Sequence, residues 1–196
     1  MSEAALRVGC VIMASGLGVR FGGNKLLAPL GGQPMMGYAL SATQGLFEQR
    51  LVVTRHADVA AYCQGLGVPV LLHDLPYRSD TVRLGLERML GLTHCLFCPA
   101  DQPLLRRETV MRLLACAAQE PEAIWRTAHD GRPGAPILFP AWVYPELMTL
   151  PQGKGGSAAA KNHPRQVRCL EVADGWELMD VDTIEDLRKI AQKMGC

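Results

Sequence analysis

The feature that most constrains this chain is a glycine-rich segment that directly follows an apolar run. Residues 8–12 are apolar enough to form a buried β-strand, and residues 13–25 contain four glycines and two cations. A buried strand that ends in such a loop usually delivers the loop to a ligand site. Glycine permits positive φ angles and lets main-chain N–H groups approach an anion. Because Arg20 and Lys25 add positive charge, we expect the loop to bind phosphate, and a triphosphate best.

The sequence signatures of two common phosphate-binding loops do not match this segment. A Walker A loop has Ser or Thr after its lysine, whereas Leu26 follows Lys25 here. A dinucleotide-binding loop would need a third glycine at the position of Phe21. The remaining alternative is a glycine-rich turn that binds nothing, and the two spaced cations argue against it.

Length and charge restrict the class of ligand. The chain has 196 residues, of which 48% are hydrophobic, so we predict one α/β domain that spans residues 1–196. The formal net charge is +1, which gives no global field to attract nucleic acid or a membrane surface. The first seven residues do not resemble a signal peptide, and no run reaches membrane-spanning length. The sequence therefore predicts a cytoplasmic protein with a small ligand.

The seven cysteines are predicted to be reduced. Their number is odd, and they are scattered through hydrophobic stretches, which is not typical of a disulfide framework. Cys95 and Cys98 have the spacing of a zinc or redox pair, but no second cysteine or histidine pair completes a site.

Apolar runs and helical periodicity alternate along the chain. The runs predict strands at 8–12, 51–54, 68–72, 95–98, 123–127 and 167–172. The periodicity predicts helices at 34–47, 56–65, 81–90, 108–118, 142–147 and from 183 onward. This alternation favours a three-layer α/β fold, with a mostly parallel sheet and helices on both of its faces. Residues 130–165 look irregular, and we expect them to form an insertion over the active site.

Two carboxylate segments are candidates for binding a metal. Asp101 follows a buried strand, where it would be well placed to ligate Mg²⁺ between nucleotide phosphates. The alternative role is that of a cap for the segment near Leu104. Asp180 and Asp182 alternate along an extended segment, which places both carboxylates on one face. Asp182 is equally well explained as the N-cap of the last helix.

Three further segments have weaker signals. Ser79 and Thr81 could offer hydroxyl or amide groups to a nucleotide at a helix start, or Ser79 or Asp80 could simply cap that helix. Lys154 lies in a glycine-rich loop and could close over phosphate, although a solvated lysine explains it as well. The five histidines show neither metal spacing nor a Ser or Cys partner, so we expect no histidine-based nucleophilic catalysis.

Four segments resemble those of nucleotidyltransferases that act on the molybdenum cofactor. The loop is similar to the signature L-A-(A/G)-G-x-x-x-R-(M/F)-G-x-x-K, with Ser15 in place of Ala or Gly. Residues 100–105 resemble a G-D-x-P segment, with Ala100 in place of Gly. Residues 131–136 resemble the G-x-P-G-H-P segment of the cytidylyltransferase branch, with Ala135 in place of His. Residues 180–186 are similar to D-(I/V)-D-T-P-E-D, with Ile184 in place of Pro. The loop positions that match are Ala14, Gly16, Arg20, Phe21, Gly22 and Lys25.

This resemblance implies a fold, an activity and a set of site residues. The fold would be Rossmann-like and similar to GT-A nucleotidyltransferases, and the activity would transfer CMP from CTP to molybdopterin cofactor with release of pyrophosphate. Mg²⁺ would be the cofactor, and a molybdenum hydroxylase or its chaperone would be the partner. The implied catalytic residues are Arg20, Lys25 and Asp101, and the implied metal ligands are Asp101 and Asp182. The implied nucleotide-binding residues are Ala14, Ser15, Gly16, Leu17, Gly18, Arg20, Lys25, Ser79, Thr81 and Asp101.

Two other functions stay open on the sequence. In the family, Ala at the position of Ser15 tends to accompany cytidine and Gly tends to accompany guanosine, so a guanylyltransferase acting on the same cofactor is the nearest alternative. The second alternative is a protein that binds a nucleotide and handles the cofactor without turnover.

Overall fold

The structure is a computed structural model that describes residues 6–196. It contains one large sheet, a short hairpin and helices on both faces of the sheet. The strands are β1 (Val8–Ala14), β2 (Pro29–Leu30), β3 (Gln33–Pro34), β4 (Gln49–Thr54), β5 (Val70–Leu72), β6 (His94–Pro99), β7 (Ile124–His129), β8 (Arg132–Pro140) and β9 (Val167–Glu171). The helices are α1 (Met36–Thr43), α2 (Ala57–Gly65), α3 (Arg78–Glu87), α4 (Arg107–Gln119), α5 (Tyr144–Met148), α6 (Gly156–Asn162) and α7 (Ile184–Met194).

The large sheet has seven strands in the order β5-β4-β1-β6-β8-β7-β9. Only β8 runs against the others, because it pairs antiparallel with both β6 and β7. The remaining six strands are parallel, so their carboxyl ends meet at one edge of the sheet. In sheets of this kind, that edge is where ligands bind.

The side chains of the central strands alternate between two separate hydrophobic cores. Ile12 packs in the core that is covered by α1, α2, α4 and α7. Its neighbour Val11 packs in the core that is covered by α3, α5 and α6. Both residues are fully buried, as expected for a strand with helices on each face. The predicted three-layer α/β fold with a mostly parallel sheet is therefore confirmed.

The prediction of an irregular insertion at residues 130–165 is wrong. Residues 132–140 form the nine-residue strand β8, which lies inside the sheet between β6 and β7. Its register places Ile137 opposite Phe97 and Phe139 opposite Cys95. Prolines at 133, 136 and 140 hid this strand, because proline cannot donate a ladder hydrogen bond and normally argues against a central strand.

The segment that follows β8 also packs on the sheet. Leu147 of α5 and Ala159 of α6 are fully buried in the second core. Among the residues that the structure describes, no helix combines the length and the apolar character needed to cross a bilayer.

Candidate functional site

The loop after β1 is a tight turn built on Gly18. Gly18 has a φ of +60°, and its carbonyl oxygen accepts hydrogen bonds from the main-chain N–H of Phe21 at 2.9 Å and of Gly22 at 3.1 Å. A Cβ on Gly18 would collide with the carbonyl oxygen of Gly23. The fold itself therefore requires glycine at this position.

Gly16 differs from Gly18, because nothing in the protein requires it to lack a side chain. Its φ lies outside the positive range, and an added Cβ would meet no atom within 4 Å. The space beside its main chain is open at the carboxyl end of the central strand β1. A bare main chain next to open space is what a bound anion would need.

Asn24 holds the end of this loop and places Lys25. Its Oδ1 accepts from the main-chain N–H of Leu26 at 3.2 Å, which caps a short 3₁₀ turn at Lys25–Leu27. Its Nδ2 donates to both carboxylate oxygens of Asp58 in α2, at 2.9 and 2.8 Å. The hydrogen bond from Asn24 lowers the pKa of Asp58. The loop is thus tied to the first turn of α2.

Four charged residues, Arg20, Lys25, Asp101 and Asp182, form one connected group that we call the charged cluster. Lys25 Nζ donates to Asp101 Oδ2 at 2.7 Å and to Asp182 Oδ1 at 2.9 Å. Arg20 Nη2 donates to Asp182 Oδ2 at 2.7 Å. The side chain of Lys25 is only 7% exposed, whereas that of Arg20 is 70% exposed. Lys25 is therefore the fixed cation of the cluster, and Arg20 is the one open to solvent.

Opposite charges within the cluster stabilise the ionised forms of Lys25 and Asp182. Burial of Lys25 acts to lower its pKa, but the charges and hydrogen bonds of Asp101 and Asp182 outweigh burial and raise it. The hydrogen bond from Lys25 lowers the pKa of Asp182, with smaller contributions from Arg20. Both directions favour the charged forms, so Lys25 and Asp182 remain ionised at neutral pH.

The two carboxylates come from segments that are joined through the main chain. Asp101 follows β6, and its carbonyl oxygen accepts from the main-chain N–H of Val181 at 2.9 Å. Gln102 is 2% exposed, and its Nε2 donates to Asp180 Oδ1 at 2.9 Å. Partial loss of water around Asp180, followed by the charge of Asp101, raises the pKa of Asp180. These contacts explain why Asp101 and Asp182, which are 81 positions apart in the sequence, meet at one point.

The capping alternatives for the two aspartates are not what the structure shows. The N-cap of α7 is Thr183, whose hydroxyl accepts from the main-chain N–H of Asp186 at 3.1 Å. Asp186 Oδ2 in turn accepts from the main-chain N–H of Thr183 at 2.9 Å, which completes a capping box. Asp182 directs its carboxylate to Lys25 and Arg20, and Asp101 directs its carboxylate to Lys25.

A second group of polar side chains lies where β4 and β5 end. The Oγ of Ser15 lies 3.0 Å from His73 Nε2 and donates to the carbonyl oxygen of Val53 at 3.2 Å. The hydroxyl of Thr81 lies 3.5 Å from the same imidazole nitrogen. Burial lowers the pKa of His73. The Ser15 hydroxyl has one hydrogen, which it donates to Val53, so its oxygen accepts from His73. The neutral imidazole therefore carries its proton on Nε2.

The expectation that no histidine has a serine partner is therefore wrong for His73. Its Nδ1 is buried and has no hydrogen-bond partner among the described residues. A serine nucleophile needs a base that is itself oriented by a third group, and that group is missing here. The contact positions the Ser15 side chain and does not activate it.

The helix α3 begins earlier than predicted, at Arg78 and not near residue 81. Its first turn is stabilised by Asp80, whose Oδ2 accepts from the main-chain N–H of Tyr77 at 3.0 Å. Ser79 and Thr81 are 8% and 1% exposed. Thr81 reaches the site through its contact with His73, so a direct role for either hydroxyl in nucleotide binding stays a prediction.

Sequence reasoning missed three residues that hold the site together. His56 Nε2 lies 2.8 Å from the carbonyl oxygen of Gly16, and Asp58 and Gln102 fix Asn24 and Asp180 as described above. His56 stands just after β4, which is a neighbour of β1 in the sheet. The strand order, which short motifs do not contain, is the signal that would have found it.

The donor atoms of the cluster suit a divalent cation. Asp101 and Asp182 offer carboxylate oxygens, which are the ligands that Mg²⁺ prefers, and Mg²⁺ commonly needs only one or two protein carboxylates besides waters and phosphates. In this structure the two carboxylates are neutralised by Lys25 and Arg20. Both cations also suit phosphate oxygens, so a bound triphosphate would compete for them.

The fold and the site together define a nucleotide-binding α/β protein, because a glycine loop faces paired cations and carboxylates at the carboxyl edge of a parallel sheet. Residues 10–167 match the model of the MobA-like NTP transferase domain, and the chain belongs to that family.

Three proteins illustrate how similar its relatives are. The molybdenum cofactor guanylyltransferase of Shewanella loihica is 31% identical over 138 residues, which are 68% of each chain. That of Rhodobacter capsulatus is 30% identical and covers 63% of this chain and 70% of its own. The crystal structure of Rv0371c from Mycobacterium tuberculosis has a TM-score of 0.83 at 25% identity and covers 96% of this chain and all of its own. Rv0371c has also been solved in complex with manganese, with a TM-score of 0.78 at 26% identity.

The open space beside Gly16 gives a prediction that separates folding from ligand binding. Because a Cβ would meet no protein atom there, Gly16→Ala is expected to leave the melting temperature unchanged. It is expected to weaken nucleoside triphosphate binding about 10-fold or more, because the methyl group would occupy the space of the anion. Calorimetric titration of the variant measures the loss.

Gly65→Ala is the matched control. Gly65 ends α2, has no positive φ, and would also place a Cβ in open space. It is expected to bind nucleotide like the unchanged protein. Equal nucleotide affinity in the Gly16 and Gly65 variants would contradict a phosphate cradle at Gly16.

Proposed function

We propose that this protein transfers a nucleotidyl group from a nucleoside triphosphate to the phosphate of molybdopterin cofactor and releases pyrophosphate. The observation that carries the proposal is the buried ammonium of Lys25, which joins Asp101 to Asp182 directly beside the glycine loop. This arrangement supports binding of a triphosphate and a divalent cation at one point. The names of the relatives support the choice of acceptor.

The reaction is a displacement at the α-phosphorus. An oxygen of the acceptor phosphate bonds to the α-phosphorus, the bond from that phosphorus to the bridging oxygen breaks, and pyrophosphate leaves with the electron pair. A phosphate monoester is already ionised at neutral pH, so no side chain is needed as a general base. Catalysis then consists of alignment and of neutralising the negative charge that collects on the leaving group.

The residues of the glycine loop and of the charged cluster would have different roles in this reaction. Main-chain N–H groups at Gly16 and Gly18 and the side chains of Lys25 and Arg20 would hold the triphosphate. Asp101 and Asp182 would hold Mg²⁺, which when bound draws charge from the phosphoryl oxygens. Arg20, being exposed, can follow the phosphates, whereas Lys25 is held in place by its carboxylate partners.

CTP is the nucleotide that we propose first, and the reason is Ser15. A glycine at this position would leave open the space that the Ser15 side chain fills. The hydroxyl of Ser15 is engaged by the carbonyl oxygen of Val53 and by His73. Ser15 therefore fills this space with its Cβ, much as alanine would. GTP is the second candidate, because the relatives from Shewanella loihica and Rhodobacter capsulatus are named guanylyltransferases.

Ser15→Gly tests this argument about the base. Removing the side chain is expected to raise kcat/KM for GTP relative to CTP by about 10-fold, because the vacated space admits the larger base. Ser15→Ala is the control and is expected to keep the original preference, since its methyl group occupies the same position. An unchanged ratio in the glycine variant would contradict a role for residue 15 in base selection.

The function is tested by measuring pyrophosphate release from CTP, GTP and ATP with molybdopterin and Mg²⁺. Release that depends on molybdopterin and is fastest with CTP supports the proposal. Faster release with GTP moves the assignment to the guanosine branch. Tight nucleotide binding without release would mean that the protein binds a nucleotide but has no transferase activity.

A further inference from the structure

A cavity of ≈ 450 Å³ lies at the carboxyl ends of β7 and β9, apart from the charged cluster. It is lined by His129, Ala173, Asp174, Gly175, Trp176 and Met179. The strand order places it on the side of β6 that is opposite to β4 and β5, where Ser15 and His73 meet. The charged cluster at the ends of β1 and β6 therefore lies between the two groups.

The wall of the cavity is joined to the cluster through the main chain. Met179 directly precedes Asp180, and Gln102 Nε2 donates both to the carbonyl oxygen of Leu178 at 3.2 Å and to Asp180. From Met179 to Asp182 the chain spans three residues, which is at most about 11 Å when fully extended. The cavity wall at Met179 therefore lies within about 11 Å of Asp182, a distance that a phosphate arm can span.

The side chains of the cavity suit a flat ring with hydrogen-bond donors on one edge. His129 and Trp176 supply two aromatic rings. His129 Nδ1 lies 3.0 Å from the carbonyl oxygen of Val172, which fixes that ring. Asp174 supplies a carboxylate at the same wall, which is an acceptor for an edge of adjacent N–H groups.

Asp174 is held in place and remains charged. Its Oδ1 accepts from the main-chain N–H of Trp176 at 3.1 Å, and its Oδ2 lies 3.1 Å from Lys193 Nζ. These two hydrogen bonds lower the pKa of Asp174. The same Lys193 ammonium lies 5.6 Å from the centre of the Trp176 ring. Arg106 Nη2 also lies 3.9 Å from Asp174 Oδ2, so Oδ1 is the carboxylate oxygen that keeps a lone pair open to a ligand.

We propose that this cavity is the acceptor subsite, which binds a flat nitrogen heterocycle through Trp176 and His129 and reads its N–H edge with Asp174. Its use in catalysis rests on the proposed function, because the bound heterocycle would present its phosphate to the α-phosphorus at the charged cluster. The nucleotide occupies the other side, so both substrates approach the cluster from opposite directions along the sheet edge.

The test uses 6-hydroxymethylpterin, which has a 2-amino-4-oxo edge of N–H donors, and adenine, which lacks that edge. The pterin is expected to quench the tryptophan fluorescence of the unchanged protein, and Trp176→Phe is expected to lose most of the quenching while Trp125 and Trp142 remain. Excess CTP with Mg²⁺ is expected not to displace the pterin. Absence of pterin binding, displacement by CTP, or equal binding of adenine would each overturn the assignment.

A blocking variant distinguishes this proposal from the proposed function. Ala173 is an exposed residue of the cavity wall, so Ala173→Phe is expected to weaken pterin binding about 10-fold or more without unfolding the protein. Ala141→Phe is the control, because Ala141 is also exposed but follows β8 at the opposite edge of the sheet.

Nucleotide binding is measured in the same variants by thermal shift with CTP and Mg²⁺, and it is expected to be unchanged in both. Unaltered pterin affinity in the Ala173 variant would overturn the subsite while leaving the proposed function standing. If the unchanged protein binds the pterin but no nucleotide, and Ala173→Phe loses the pterin, the subsite is supported and the proposed function is contradicted.

Discussion

Lys25→Ala is expected to lower kcat/KM for the nucleoside triphosphate by about 10²- to 10³-fold or more, because it removes the buried charge that we propose holds the phosphates. Among residues 6–196, the ammonium of Lys25 is the one group that contacts both carboxylates of the cluster, and these carboxylates hold it in place before any ligand binds. A cation that is already positioned is worth more than an exposed one such as Arg20. Steady-state kinetics of pyrophosphate release give the measurement.

Two variants separate the charge of Lys25 from its packing. Lys25→Met keeps the apolar stem in its buried position and removes only the ammonium, so we expect the same kinetic loss with a smaller change in melting temperature. Lys161→Ala removes an exposed lysine from the last turn of α6 and is expected to change neither quantity. Full activity in the methionine variant would contradict a role for the ammonium.

Asp101→Asn is expected to reduce activity about 10²-fold or more and to raise the concentration of Mg²⁺ needed for half-maximal activity. The amide has nearly the shape of the carboxylate but no charge, so it weakens binding of a divalent cation and leaves the segment after β6 intact. The main-chain bond from Val181 to the carbonyl of residue 101 does not involve the side chain and is retained. A magnesium titration at saturating nucleotide measures the effect.

The control for Asp101 removes a charge outside the cluster. Glu185 is an exposed residue in the first turn of α7, and Glu185→Gln is expected to leave the magnesium dependence unchanged. If Asp101→Asn requires no more magnesium than Glu185→Gln does, Asp101 is not a metal ligand.

The parts of the fold that could be predicted from the sequence are those with local signals. The apolar runs at β1 and β6 are buried on both faces, and such runs are hard to mistake for surface elements. The loop after β1 carries its glycines and cations in one short stretch. For these reasons the three-layer architecture could be predicted from the chain alone.

The parts that could not be predicted depend on contacts between distant segments. Strand β8 contains three prolines, so its burial in the sheet is decided by pairing with β6 and β7 and not by local preference. The contact between Ser15 and His73 joins the ends of β1 and β5, which are separated in the sheet by β4. Knowledge of the strand order is needed to find both.

The aspartates show the same limit in the candidate site. The sequence alone could not decide whether Asp182 caps α7 or faces a ligand, because either role suits a carboxylate before a helix. The choice depends on Thr183, which takes the capping position and leaves Asp182 free to contact Lys25.

The proposed function requires that the charged cluster and the glycine loop together bind a triphosphate with a divalent cation. Calorimetric titration of CTP and of GTP, each with and without Mg²⁺, tests it most directly in the unchanged protein and in Asp101→Asn. We predict binding of at least one nucleotide that is strengthened by Mg²⁺ in the unchanged protein and is not strengthened in the variant. Failure to bind either nucleotide, or an equal magnesium effect in both proteins, would contradict the claim.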